Sequence, residues 1–365
     1  MVAAATLLAA PSAPTTGRAA KAPLAAPAAA PHLPRPATRT GETARSAAHP
    51  EAALPRTMLR RHRGFVNADP GVTYVANSTG FHATGRTHLP PPTKARAWVV
   101  FDVDTGAVLG AHRAHRPLPQ ASTIKLLSAL VAAETVPVGV QHRVTRFESQ
   151  QLCSCAGLRV GRAYTRYSML AGMLLPSGND AAEALAGSHP GGRTAFIAAM
   201  NRKARDLGAD DTVARNPSGL TAAGAHSSAH DLAIFLRAAL DDGVVAKFLT
   251  LHQTWVETTA DDAGRTPGRL GTRDARSGRR RPADRHPVWH STQYVRLYPG
   301  SAGKSGYTTR AQNTLVVSTP IDGHRIGVAL LGSPAGHVTT GARNLTLWAA
   351  TNHRALLPLD ELPTQ

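Results

Sequence analysis

The sequence predicts an α+β fold, an antiparallel sheet with a helical subdomain inserted in its middle and helices on its flanks. Three observations carry this. Apolar alternation around turn residues marks strand pairs near 96–112 and 313–332, at the two ends of one region. Between them, apolar residues recur at helical spacing from Ser122 to about Leu240. A last amphipathic segment, about Thr340 to Asn352, suits one face of the sheet.

Taken in order, residues 1–91 are rich in Ala and Pro with no sustained period, which predicts a disordered segment that cannot bury enough apolar surface to offset chain entropy. Its start, Val2 to Ala10 followed by PSAP, has the apolar run and small residues of a secretory signal but no preceding Lys or Arg. Nothing later reaches 18 apolar residues, so no membrane span is expected. The composition changes near Ala95, and a folded domain is placed at 92–357 with a tail at 358–365. ARAWVVFDVDTGAVLGAHR reads as strands at about 96–103 and 107–112 around Asp104-Thr105-Gly106. Ile124, Leu127, Leu130 and Val131 give a helix from Ser122 to about Val136, and further helices follow at about 166–185, 192–207 and 230–240. The Arg-, Gly- and Pro-rich stretch 257–287 reads as a solvated surface insertion, with anionic wall polymer as its alternative contact. NTLVVST and HRIGVALLG then flank the turn Pro320-Ile321-Asp322-Gly323.

A chain of 365 residues with 42% hydrophobic residues has ample material for a core, which excludes a peptide or a wholly disordered protein. Its net charge of +18 favours an anionic neighbour, but no basic face with interleaved aromatics or known module appears, so nucleic acid is not an expected partner. The histidines are scattered, no metal or cofactor set emerges, and His286 and His290, around Pro287, read as solvated loop residues. Cys153 and Cys155 leave one local bridge for an oxidising compartment, and the strain of a ring spanning one residue weighs against it.

Ser122-Thr123-Ile124-Lys125 sets a hydroxyl and an amine three residues apart at a helix start, on one face and within reach of each other. Lysine can serve as the base of a serine nucleophile when burial or a nearby cation depresses its pKa. The motif alone is weak. Ser177-Gly178-Asn179 and Lys304-Ser305-Gly306 follow in the same chain, a trio expected by chance about once in a thousand such sequences.

With these motifs the chain resembles the D-alanyl-D-alanine carboxypeptidases, the low-molecular-mass penicillin-binding proteins of peptidase family S11. The resemblance covers about Ala95 to Ala355 and includes FDVDTGAVLGAHRAHRPLPQASTIKLLSAL, GLRVGRAYTRYSMLAGMLLPSGNDAAEALA, MNRKARDLGADDTVARNPSGL and YPGSAGKSGYTTRAQNTLVVSTPIDGHRIGVALLG. It implies a DD-peptidase/β-lactamase-like fold with a five-stranded antiparallel sheet. It implies Ser122 as the acylated nucleophile, Lys125 as its base and Ser177 as a proton relay, with Asn179 orienting Lys125 and the substrate amide. Lys304 and Ser305 would hold the terminal carboxylate, and the N–H groups of Ser122 and Tyr307, beside Gly306, would form the oxyanion hole. The implied substrate is a peptidoglycan stem peptide ending in D-Ala-D-Ala, the implied inhibitors are β-lactams, no cofactor is implied, and the implied location is outside the cytoplasm.

The chain departs from the family pattern with KSG in place of the usual KTG and WHSTQY in place of an Asn-rich stretch. The large domain that follows in many relatives, and a C-terminal amphipathic anchor, are not evident. Rival readings are a class A β-lactamase, for whose deacylating glutamate Glu183 and Glu257 are poorly placed, a DD-endopeptidase, and a non-catalytic penicillin-binding sensor.

Overall fold

The computed structural model describes residues 73–75, 90–259, 284–353 and 359–363. The first expected hairpin forms as β2 (Ala97–Asp102) and β3 (Ala107–His112), turning at Gly106 with φ 82°. Every residue of β2 is buried, because both faces of its sheet are covered. Ala97, Val99 and Phe101 enter one core, and Trp98 and Val100 enter another. Opposite them β3 carries a register shift between its pairings with Val100 and Phe101, so that Val108 and Ala111, three apart, reach the same core.

The strand order is β1 (Thr73–Val75), β3, β2, β10 (His324–Ser333), β9 (Gln312–Ile321), β8 (Ala302–Thr308), every pairing antiparallel. The short β11 (Asp360–Glu361) also pairs with β3, on the edge that β1 uses. The sheet is therefore six strands wide, not five. The extra position is filled by two short segments that lie outside the 92–357 boundaries, one within the stretch expected to be disordered and one in the tail. Their three and two residues are too few to show a period of two. Of the rest of 1–91, residues 1–72 and 76–89 lie outside the described residues.

The inserted subdomain follows β3. A 3-10 turn, Ala121–Ile124, leads into α1 (Lys125–Thr135). The strand pair β4 (Gln141–Arg143) and β5 (Ala163–Thr165), with the short α2 (Arg146–Ser149) between, precedes α3 (Arg166–Leu174) and α4 (Asn179–Ser188). The single helix expected over 166–185 is broken at Leu175–Gly178, where Pro176 lacks an N–H and Ser177 adopts φ 65°. Next come α5 (Gly192–Asp206), α6 (Ala229–Asp241) and α7 (Val245–Thr250).

The stretch 257–287 is narrower as an insertion than expected. Its ends belong to a hairpin of β6 (Gln253–Glu257) and β7 (Arg285–Trp289), and 260–283 lie outside the described residues. His286 sits in β7 and bonds the Ala156 carbonyl, and His290 is fully buried, so neither is a solvated loop residue. The short α8 (Gln293–Leu297) leads to β8, and α9 (Val338–Asn352) closes one face of the sheet through Leu345 and Trp348, while α6 packs on the other. Asp322 and Gly323, both at positive φ, turn the β9–β10 hairpin two residues later than the first apolar run suggests. Among the described residues no helix is long and apolar enough to cross a membrane.

Candidate active site

The nucleophile turn is pinned from three sides. Ala121 is held at φ 49°, the Gln120 carbonyl accepts hydrogen bonds from Thr123 Oγ1 and from Thr314 Oγ1 of β9, and Ser218 and Gly219 lie beneath. A Cβ at Gly219 would stand 1.9 Å from the Ala121 carbonyl oxygen. Gly306 of β8 also comes close, since a Cβ there would lie 2.6 Å from the Ser122 nitrogen. Only glycine allows the two backbones to approach so nearly. Ser122 emerges half-buried, lining a cleft of about 1010 Å³ with Ser177, Asn179, Ser305, Gly306 and Tyr307.

Lys125 is buried, with its Nζ 2.9 Å from Ser122 Oγ, 2.9 Å from the Ser177 carbonyl and 2.6 Å from Asn179 Oδ1. Two of these three neighbours, a carbonyl and an amide oxygen, can only accept. A neutral amine therefore spends its two N–H groups on them and turns its lone pair to a hydroxyl, that of Ser122 at 2.9 Å lying nearer than that of Ser177 at 3.4 Å. Asn179 is oriented for this because its Nδ2 donates to the Leu152 carbonyl at 2.6 Å, which leaves Oδ1 facing Lys125. Burial, reinforced by the charge of Lys304, holds the Lys125 pKa well below the ordinary 10.5. Burial lowers that of Lys304 to about 7.

Ser177 Oγ lies between the two amines, 2.8 Å from Lys304 Nζ and 3.4 Å from Lys125 Nζ. Lys304 also donates to the Ser305 carbonyl at 2.9 Å. The eight residues singled out from the sequence thus meet in one place, though Tyr307 is 64% exposed at its rim.

Other contributors were not singled out. Thr292 Oγ1 accepts the Ser305 N–H at 3.0 Å and shares a hydrogen bond with Ser305 Oγ at 3.1 Å, so the unusual WHSTQY stretch supplies a buried support for the third motif. Asp180 accepts the loop N–H groups of Ala156, Gly157 and Leu158, as well as that of Ala181, and fixes the loop beside Asn179. Asn216 accepts the Gly219 N–H at 2.7 Å and shapes the turn under Ser122. The Asn-Pro-Ser-Gly run is turn chemistry visible in the sequence, whereas Thr292 and Asp180 carry no local signal. Of the two glutamates weighed for deacylation, Glu183 is buried in an ion pair with Arg193, and Glu257 is exposed on β6. Cys153 and Cys155, for which the sequence left a local bridge open with ring strain weighing against it, form a disulfide across one residue at the cleft margin, with Cα atoms 4.7 Å apart, inside the normal span.

A serine hydroxyl 2.9 Å from the amine of a buried lysine, set against the edge strand of an antiparallel sheet, is the arrangement of a serine–lysine acyl-transfer hydrolase. Comparison with known proteins gives the same class. The D-alanyl-D-alanine carboxypeptidase family profile, peptidase S11, matches residues 84–335. A Mycobacterium tuberculosis D-alanyl-D-alanine carboxypeptidase, DacB2, is 35% identical over 244 residues, 66% of this chain and 76% of that protein. The crystal structure of a D-alanyl-D-alanine carboxypeptidase from M. tuberculosis H37Rv superposes with a TM-score of 0.63 at 32% identity, covering 74% of this chain and 96% of that one. A D-alanyl-D-alanine endopeptidase of Pseudomonas aeruginosa is 28% identical, covering 71% of this chain and 78% of that protein. The chain belongs to the S11 D-alanyl-D-alanine carboxypeptidase family.

Proposed function

We propose that this protein removes the terminal D-alanine from peptidoglycan stem peptides through an acyl-enzyme on Ser122. The observation that carries the proposal is the three-point grip on Lys125, which aims its lone pair at Ser122 Oγ. Lys125 takes the hydroxyl proton as Ser122 attacks the penultimate carbonyl. The Ser122 and Tyr307 N–H groups receive the oxyanion, and the close approach of Gly306 supports that pairing. The proton returns to the departing amine through Ser177 Oγ, which lies within reach of both amines. Water then releases the acyl group.

At the far end Lys304 has donated to Ser177 Oγ and Ser305 O, so one N–H of its charged form remains for a substrate carboxylate beside Ser305 Oγ. β-Lactams would acylate the same serine. Exported location, with anionic wall polymer as a further contact, is part of the proposal, supported by the disulfide and the net charge of +18.

The test has two parts. A fluorescent penicillin should label the wild type on Ser122 and leave Ser122→Ala unlabelled; an adduct mapped to another serine would sink the assignment. D-Alanine release from an acyl-D-Ala-D-Ala peptide should greatly exceed cleavage of its C-terminal amide, and Lys304→Ala should shrink that difference. Equal turnover of acid and amide would indicate an endopeptidase-like specificity, and labelling without turnover a sensor.

A further inference from the structure

The loop from Leu152 to Leu158 wraps the first turn of α4. The Leu152 carbonyl accepts from Asn179 Nδ2 at 2.6 Å and the Ser154 carbonyl accepts the Asn179 backbone N–H at 2.7 Å. Cys153 stands between those two carbonyls and is bonded to Cys155. The second half of the loop is anchored separately by Asp180, which takes the N–H groups of Ala156, Gly157 and Leu158 at 2.8, 2.9 and 3.0 Å. The first half is exposed at Leu152, Cys153 and Ser154, and is tied to the body by the two Asn179 bonds and by the Ser154 hydroxyl, which donates to the Pro176 carbonyl at 3.5 Å. Its shape also depends on the bridge, which removes backbone freedom from the two carbonyls that fix Asn179.

We propose that the Cys153–Cys155 disulfide is a thiol-sensitive positioning element of the acylation centre, setting Asn179 and through it Lys125. The proposal rests on the carboxypeptidase reading. A dithiol opens the bridge by attacking an accessible sulfur, for which exposed Cys153 is suited. The S–S bond breaks, a mixed disulfide forms, and Cys155 leaves as a thiolate that takes a proton. The reagent's second thiol then displaces Cys153, which is protonated in turn, and the reagent departs as its cyclic disulfide, having given up two electrons and two protons. Asp180 keeps the second half of the loop in place, so the fold survives while Asn179 loses its fixed acceptors.

The experiment uses the full chain in three states: oxidised, reduced with dithiothreitol, and as the double variant Cys153→Ser/Cys155→Ser. Penicillin acylation is followed with thiols counted in parallel, and hydrogen exchange is read on the peptide containing Asn179. Reduction and the double variant should each lower the limiting acylation rate constant about ten-fold or more, leave the thermal midpoint within a few degrees, and speed exchange of the Asn179 amide. Reoxidation should restore the wild type but not the variant. A protein with two titratable thiols that acylates at the oxidised rate would overturn the proposal, as would unchanged exchange at Asn179. If oxidised protein is never acylated at Ser122, the carboxypeptidase reading falls, and the exchange measurement alone decides whether the bridge holds Asn179.

Discussion

At the scale of single residues, the proposed mechanism needs one buried lysine, Lys125, neutral beside another, Lys304, that is charged. Lys125→Arg retains the charge but removes a usable base, because a guanidinium does not deprotonate in proteins. Acylation by a fluorescent penicillin should fall by roughly two to four orders of magnitude, the scale of losing a general base. The pH dependence of the second-order acylation constant should be bell-shaped. Lys125, its pKa depressed by burial and by Lys304, must be deprotonated, so the rate falls as acid protonates it. Lys304, brought down to about 7 by burial, must be protonated, so the rate falls as pH rises through that region. Lys304→Ala should remove the alkaline limb and move the acid limb upward, since Lys125 then loses a cationic neighbour. A profile whose limbs do not move would place the titration elsewhere. Ser122, Lys125, Ser177, Asn179 and Lys304 were legible because short motifs in order encode them. Thr292 was not, because a threonine that braces a strand thirteen residues on looks like any other until the chain folds.

At the scale of elements, the turn beneath the nucleophile is the sensitive one. Gly219→Ala combines an unfavourable φ of 82° with a Cβ driven into the Ala121 carbonyl and near the Ser122 nitrogen. Acylation should drop at least ten-fold even where the variant remains folded by circular dichroism, and unaffected acylation would show that the turn gives way without cost. A second test lies where the loop after β3 meets α6. Burial pushes His115 down, but its hydrogen bond and charge contact with Asp211, with Asp231 and Asp360 near, outweigh this and raise its pKa above 6.5. Burial pushes Asp211 up, and the same partner brings it below 3.8. The His115 contribution is complete below 6.5 and fades as pH rises through the raised value, whereas that of Asp211 is present above 3.8 and fades in acid. Between about pH 4 and 6.5 the wild type should therefore gain in thermal midpoint over Asp211→Asn, with the gap narrowing on both sides. The hairpins and most helices were legible from turn residues and period. The β6–β7 pair was not, because its partners are separated by an Arg-rich stretch that resembles a loop from end to end.

At the scale of the whole molecule, the described sheet is held between two cores, and its far edge is completed by segments distant in sequence. Leu359 and Leu362 are buried, and Arg237 of α6 donates to the carbonyls of Val103, Leu362 and Pro363, tying the tail to the body. Removing 359–365 should cost roughly 3–5 kcal/mol from the two leucines alone, read as a lower midpoint in urea or heat. An unchanged midpoint would mean that the tail adds nothing. The placement of β1 and β11 has another consequence. Together they occupy the outer backbone groups of β3, end to end, on the side of the sheet away from the cleft. An uncovered strand of that kind offers its N–H and C=O groups to any other extended chain. The two small strands thus act as a guard against self-association, and a tail-less protein should form oligomers or aggregates at concentrations where the full chain stays dispersed, visible by light scattering before any loss of helix signal.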